Sequence, residues 1–131
     1  MSKIRCTCDH IILDQTDFIS YKGEVFMDVD SENIYEGTAK EISSFIDACI
    51  NNSREEWIIN RFGESYPEDS DNSSVIYNII SDNNYKFSKV IYQCESCSSL
   101  LLETDETNNF EVFKPMNESQ AKNILKSNAV K

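Results

Sequence analysis

Cys6-Thr7-Cys8 and Cys94-Glu95-Ser96-Cys97 hold four of the five cysteines of this 131-residue chain in two tight pairs. A thiolate pair in a turn supplies two of the four soft ligands of a tetrahedral zinc ion, so two such turns facing each other complete the site. The flanking residues suit that arrangement: residues 3–5 into 11–13, and 89–93 into 100–103, each read as strand, turn, strand. The expected ligands are therefore Cys6, Cys8, Cys94 and Cys97, and the expected cofactor is Zn(2+). Such a site would close the fold by joining the two ends of the chain through a metal.

The second turn, with Val90-Ile91-Tyr92-Gln93 before its cysteines and Ser98-Ser99-Leu100 after them, resembles a zinc-ribbon knuckle. The first, Cys6-Thr7-Cys8-Asp9-His10, resembles the shorter variant with one residue between the cysteines. Those knuckles carry glycine after the second cysteine, where this chain has Asp9 and Ser98; Asp tolerates the left-handed backbone such a turn needs. The resemblance covers roughly the first fifteen residues and residues 88–113. It implies an α+β fold in which a small antiparallel zinc-ribbon-like sheet joins the two termini. The chain then reads as a single domain, 1–131, with knuckles at 3–13 and 89–103 and an acidic, helical insertion at 14–71.

The same cysteines admit a redox reading. A Cys-x-x-Cys opening a helix after a strand gives a reactive dithiol, because the helix dipole stabilises a thiolate. Here Cys97 leads into Ser-Ser-Leu-Leu-Leu-Glu, a strand-like run, and the other pair would be left unexplained. A cytoplasmic redox or metal-responsive dithiol protein is accordingly the alternative. His10, the only histidine, reads as a neighbour of the metal ligands or a surface residue, since four thiolates already satisfy the ion. Four thiolates also make a closed site, whereas a catalytic zinc keeps a position open. The chain has no phosphate-binding glycine loop, no His-Glu-x-x-His and no deaminase signature. A non-catalytic protein is expected.

Charge is spread unevenly. Residues 14–71 contain fifteen acids and four bases and carry the whole net charge of −11; the rest of the chain sums to zero. Phosphate binding needs a basic footprint, so no nucleic-acid partner is expected. An acidic face instead favours encounter with a basic protein, and Asp28, Asp30, Glu32 and Glu36 are the candidate partner-binding residues. No apolar run is long enough for a bilayer and no apolar stretch follows the first five residues, so a cytoplasmic, membrane-free protein is expected. In size and charge the chain resembles the immunity proteins of bacterial toxin systems, which neutralise basic nuclease toxins.

Periodicity outlines the middle of the chain. Alternation of Val25, Met27 and Val29 reads as a strand over 24–30. Thr38 and Glu41 form a capping box ahead of a stripe of Ile42, Phe45, Ile46, Cys49 and Ile50, which makes Cys49 a buried core thiol. Ser53 and Glu56 form a second box before Trp57, Ile58 and Phe62, with Trp57 a core anchor and Gly63 at the helix end. Residues 64–74 read as a loop. Val75, Ile76, Ile79 and Ile80 follow with helical spacing, although their β-branching also suits a strand. A strand at 110–113 and a helix capped by Asn117, bearing Ala121, Ile124 and Leu125, complete the outline.

Overall fold

Strand β1 (Ser2–Arg5) pairs antiparallel with β2 (Ile11–Asp14), and Ile4 lies opposite Ile12 on one face. A second antiparallel sheet has the order β3 (Lys22–Val25), β4 (Lys89–Gln93), β5 (Leu100–Glu103), β6 (Phe110–Phe113). In its register Leu101 stands opposite both Tyr92 and Val112, so these three share a face. The computed structural model describes residues 2–106 and 108–129, and among these the fold is mixed α+β, with two sheets and four helices. The chain resolves into two compact units: Met1–Val25 with Lys89–Lys131, and Phe26–Ser88.

The unit built from the two ends carries both cysteine hairpins. Its core is Cys6, Ile12, Tyr92, Cys94 and Leu101, with Ile4, Phe110 and Val112 packed against it. The sheet expected to join the termini is thus two sheets stacked face to face. Each hairpin presents one apolar row, and layering the rows buries both, which an edge-to-edge sheet would not do. Asp14, at the end of β2, accepts from the Tyr92 hydroxyl and pairs with Lys22 at 2.7 Å. Residues 14–25, read as the start of the insertion, belong to this unit because residues 22–25 pair with 92–89. At the C-terminal end α4 is one turn, Glu118–Ala121, with Asn117 accepting from the Ser119 amide; Ile124 and Leu125 lie beyond it.

The middle unit is three helices: α1 (Asp28–Ile50), α2 (Arg54–Phe62) and α3 (Asn72–Phe87). Phe45, Ile58, Val75 and Ile79 are fully buried between them, with Trp57, Phe62 and Cys49 packed at the margin. Trp57 stacks near Phe45 and donates its indole N–H to Ser44 Oγ at 2.9 Å.

Several expectations change here. The strand over 24–30 ends at Val25, and Asp28 already opens α1. Val25, Met27 and Val29 are all exposed, so their alternation marks no buried face, while Asp28 and Asp30 suit a helix N-terminus. Thr38 therefore lies inside α1 and caps nothing. The helix runs on through Gly37, where α3 passes so close that a Cβ would meet Asn83 Oδ1 at 3.3 Å. Of the apolar stripe on α1 only Phe45 is fully buried; Ile46 and Ile50 are exposed and Cys49 is partly buried. Ser53 does precede α2, but its hydroxyl donates to the Ala48 carbonyl rather than capping. Gly63 ends α2 at φ 98°, as its type suggested. Helix α3 is a helix rather than a strand, and it starts inside the expected loop, where Asp71 accepts from the Ser74 amide at 2.8 Å.

Candidate metal centre

Each cysteine pair sits at the tip of a hairpin. In the first, the Cys6 amide donates to the His10 carbonyl and the Asp9 amide to the Cys6 carbonyl, both at 2.9 Å. In the second, the Cys94 amide donates to the Ser99 carbonyl at 2.8 Å and the Ser98 amide to the Cys94 carbonyl at 2.9 Å. The two turns are thus built alike. Asp9 (φ 72°) and Ser98 (φ 63°) both adopt the left-handed backbone expected at the glycine position of a knuckle. That conformation turns the chain sharply after the second cysteine and leaves both sulfurs of the pair on one side.

Stacking of the sheets then brings the tips together. Cys6 Sγ lies 3.6 Å from Cys97 Sγ, and Cys8 Sγ lies 3.6 Å from Cys94 Sγ. All four sulfurs fall within 4.8 Å of one another. Tetrahedral zinc–thiolate bonds of about 2.3 Å require sulfur–sulfur separations of about 3.8 Å, so the group has the size to hold a metal ion. All four thiols are free cysteines. His10 is not a member of the group, and its carbonyl serves the turn instead.

The thiols differ in their surroundings. Cys6 and Cys94 are buried, and burial raises both above the ordinary thiol value, Cys94 to about 12. Burial acts the same way on Cys97, but the hydroxyl and amide of Ser99 and the Cys6 and Cys8 thiols outweigh it and bring Cys97 down to about 7. Ser99 Oγ is 3.2 Å from the Cys97 sulfur. Sequence reasoning missed Ser99; its one signal was the place two residues beyond the last cysteine, where a strand begins. A divalent ion held here would replace the thiol protons and make all four thiolates, which would give the centre a net charge of about −2. One side remains open: Cys8 is exposed, and a cleft of about 420 Å³ borders Cys8 and Cys97, with Thr7, Lys114 and Met116 on its walls.

The candidate partner-binding residues all fall on α1. Asp28, Glu32 and Glu36, spaced by four, form an exposed stripe, whereas Asp30 is half-buried and points round the helix from them. The middle unit as a whole has thirteen acids and four bases, −9 of the chain's −11.

The chain matches the family described as "Domain of unknown function (DUF8617)" over residues 2–118, and so belongs to it. The match spans both cysteine pairs and the entire middle unit. No curated protein and no solved structure matches the chain. The family's description is not that of a zinc ribbon, so that likeness rests on the two hairpins alone. Among the described residues no helix is long and apolar enough to cross a membrane.

Proposed function

We propose that the protein is a non-catalytic, zinc-stabilised binding protein that presents an acidic helical face to a basic protein partner. For the metal, what supports the reading is the donor set: four cysteine sulfurs within 4.8 Å of one another suit zinc, and the same set would also accept iron. In zinc's case the ion would be structural, tying positions 86 to 91 residues apart in the sequence. Thiols must stay reduced to bind it, which fits a cytoplasmic setting.

For the partner, the carrying observation is the Asp28, Glu32, Glu36 stripe on a unit of −9. Long-range attraction would speed association with a cationic surface, and salt would slow it over a Debye length of about 8 Å at physiological ionic strength. A bacterial immunity protein directed at a basic toxin is the specific role this reading favours. The test replaces Asp28, Asp30, Glu32 and Glu36 by Lys together. The variant should keep its metal and its fold yet bind a captured partner more slowly, with a flattened salt dependence. An acidic partner, or unchanged rate and salt dependence, would reduce the face to a solubility feature.

A further inference from the structure

In the cysteine-bearing unit two strands are laid over four, so the smaller sheet does not cover the larger. A cleft of about 460 Å³ lies where cover is missing. Its floor is Leu101, Phe110 and Val112, the inner face of β5 and β6. One wall is Ser2, Lys3, Ile4 and Arg5, the whole of β1. Side chains alternate along a strand, so a cleft above one face of β1 would meet every second residue. Four consecutive residues mean that the cleft runs along the strand's edge. Strand β1 pairs only with β2, and no other backbone hydrogen bond among the described residues involves residues 2–5. Its outer N–H and C=O groups therefore face the cleft without a backbone partner, over about 13 Å of edge.

We propose that this cleft binds an extended segment of a partner protein, which adds to β1 as a third strand and alternates acidic with apolar residues. Ser2 and Ile4 turn inward and are half-buried; Lys3 and Arg5 turn outward and are exposed. In an added strand, residues beside Ile4 drop onto Phe110 and Val112, which are only half-buried, and cover the apolar surface they leave. Residues beside Lys3 and Arg5 face solvent, where carboxylates complete cross-strand ion pairs. Among the described residues Arg5 meets one acid, Asp9, in an exposed contact of 3.9 Å, and can turn to such a partner. The backbone supplies affinity and the alternation supplies selectivity. This site goes beyond the acidic face of the middle unit: it lies on the other unit and takes a ligand of opposite charge.

The probe is an acetylated, fluorescein-labelled peptide of alternating Glu and Val, titrated by anisotropy against the full-length, metal-loaded protein. Saturable binding is expected. A peptide of the same composition with its Glu and Val in separate blocks should bind far more weakly. So should the alternating peptide N-methylated at every second amide, which removes one hydrogen-bonding edge and leaves the protein untouched. Reversing both charges (Lys3→Glu with Arg5→Glu) should weaken binding about tenfold, with metal content and melting temperature preserved. Three results overturn the proposal: no saturable binding, binding indifferent to N-methylation or charge reversal, or a dimer in the free protein that the same reversal dissociates.

Discussion

Asn83, on α3, donates its side-chain amide to Glu41 Oε1 on α1 at 3.0 Å, and the other oxygen of that carboxylate takes the Arg61 guanidinium of α2. One carboxylate thus joins the three helices of the middle unit. Asn83 is buried, and a second bond to the Ile79 carbonyl at 2.8 Å fixes its orientation. Arg61 also reaches Asp82 at 3.2 Å, so the group is a network rather than a pair.

The network sets an acid limit on stability. Burial of Glu41 opposes its ionisation, but hydrogen bonds from Arg61 and Asn83, with the Arg61 and Lys86 charges, outweigh it and hold the carboxyl below its ordinary value. A carboxyl with a lowered folded pKa contributes fully above its unfolded pKa, about 4.3, and the contribution is lost as pH falls through the folded value. Glu41→Gln should therefore cost about 1–2 kcal/mol at neutral pH, and the variant and parent should converge in acid. Urea unfolding at a series of pH values measures this. A difference that persists unchanged below about pH 3 would contradict it.

Gly37 offers a second reading of the same contact. Replacing a helical glycine by alanine normally gains up to about 1 kcal/mol, but here the new Cβ would press on Asn83 Oδ1, an amide that two hydrogen bonds hold in place. Gly37→Ala should thus be neutral or destabilising in the parent and stabilising in an Asn83→Ala background. A double-mutant cycle by thermal unfolding tests the sign change. Equal effects in both backgrounds would mean that α1 and α3 do not meet there.

The metal and the fifth cysteine should separate cleanly. Cys94→Ser should abolish stoichiometric metal and cost several kcal/mol, since a metal held by the four cysteines would close a loop of about ninety residues. Cys49→Ala should leave metal content unchanged and cost about 1 kcal/mol, because Cys49 is only partly buried at the margin of the helical core. Elemental analysis alongside thermal unfolding reads both. Protein purified without metal at undiminished stability would mean that the four cysteines hold no structural ion.

Ser98 is itself buried and carries a positive φ, so its backbone, rather than its side chain, decides what the position accepts. Ser98→Gly should stabilise the metal-loaded protein by up to about 1 kcal/mol, offset in part by the greater freedom of glycine in the unfolded chain. Ser98→Val should be the damaging change, because a β-branched residue resists the left-handed region. Melting temperatures in the reverse order would mean that the turn relaxes on metal binding.

The cysteine hairpins were legible because their information is local: ligand spacing, flanking strand-like runs and the residue after each second cysteine all lie within a few positions. Residues 89–93, 100–103 and 110–113 are strands with the bounds expected of them. The start of α1 was not legible. Val25, Met27 and Val29 alternate without a buried face, and Gly37-Thr38 imitates a helix boundary. What leaves little room for a side chain at position 37 is Asn83, which is 46 residues away and can be identified only in the folded chain. The stacking of two sheets was illegible for a related reason: apolar rows announce that they will be buried, but not against what. On the site itself, the four sulfurs could be read, whereas the help Ser99 gives to Cys97 depends on how the strand leaves the turn.

Val25 and Lys89 are register partners on β3 and β4. The chain therefore leaves the cysteine-bearing unit and re-enters it at neighbouring backbone positions about 5 Å apart. Sixty-three residues, Phe26–Ser88, depart and return through what is in effect a single gap in a hairpin. A plain turn could bridge that gap, so the helical segment behaves as a cartridge. A shortened chain with a tight turn in its place would be the minimal scaffold of this architecture.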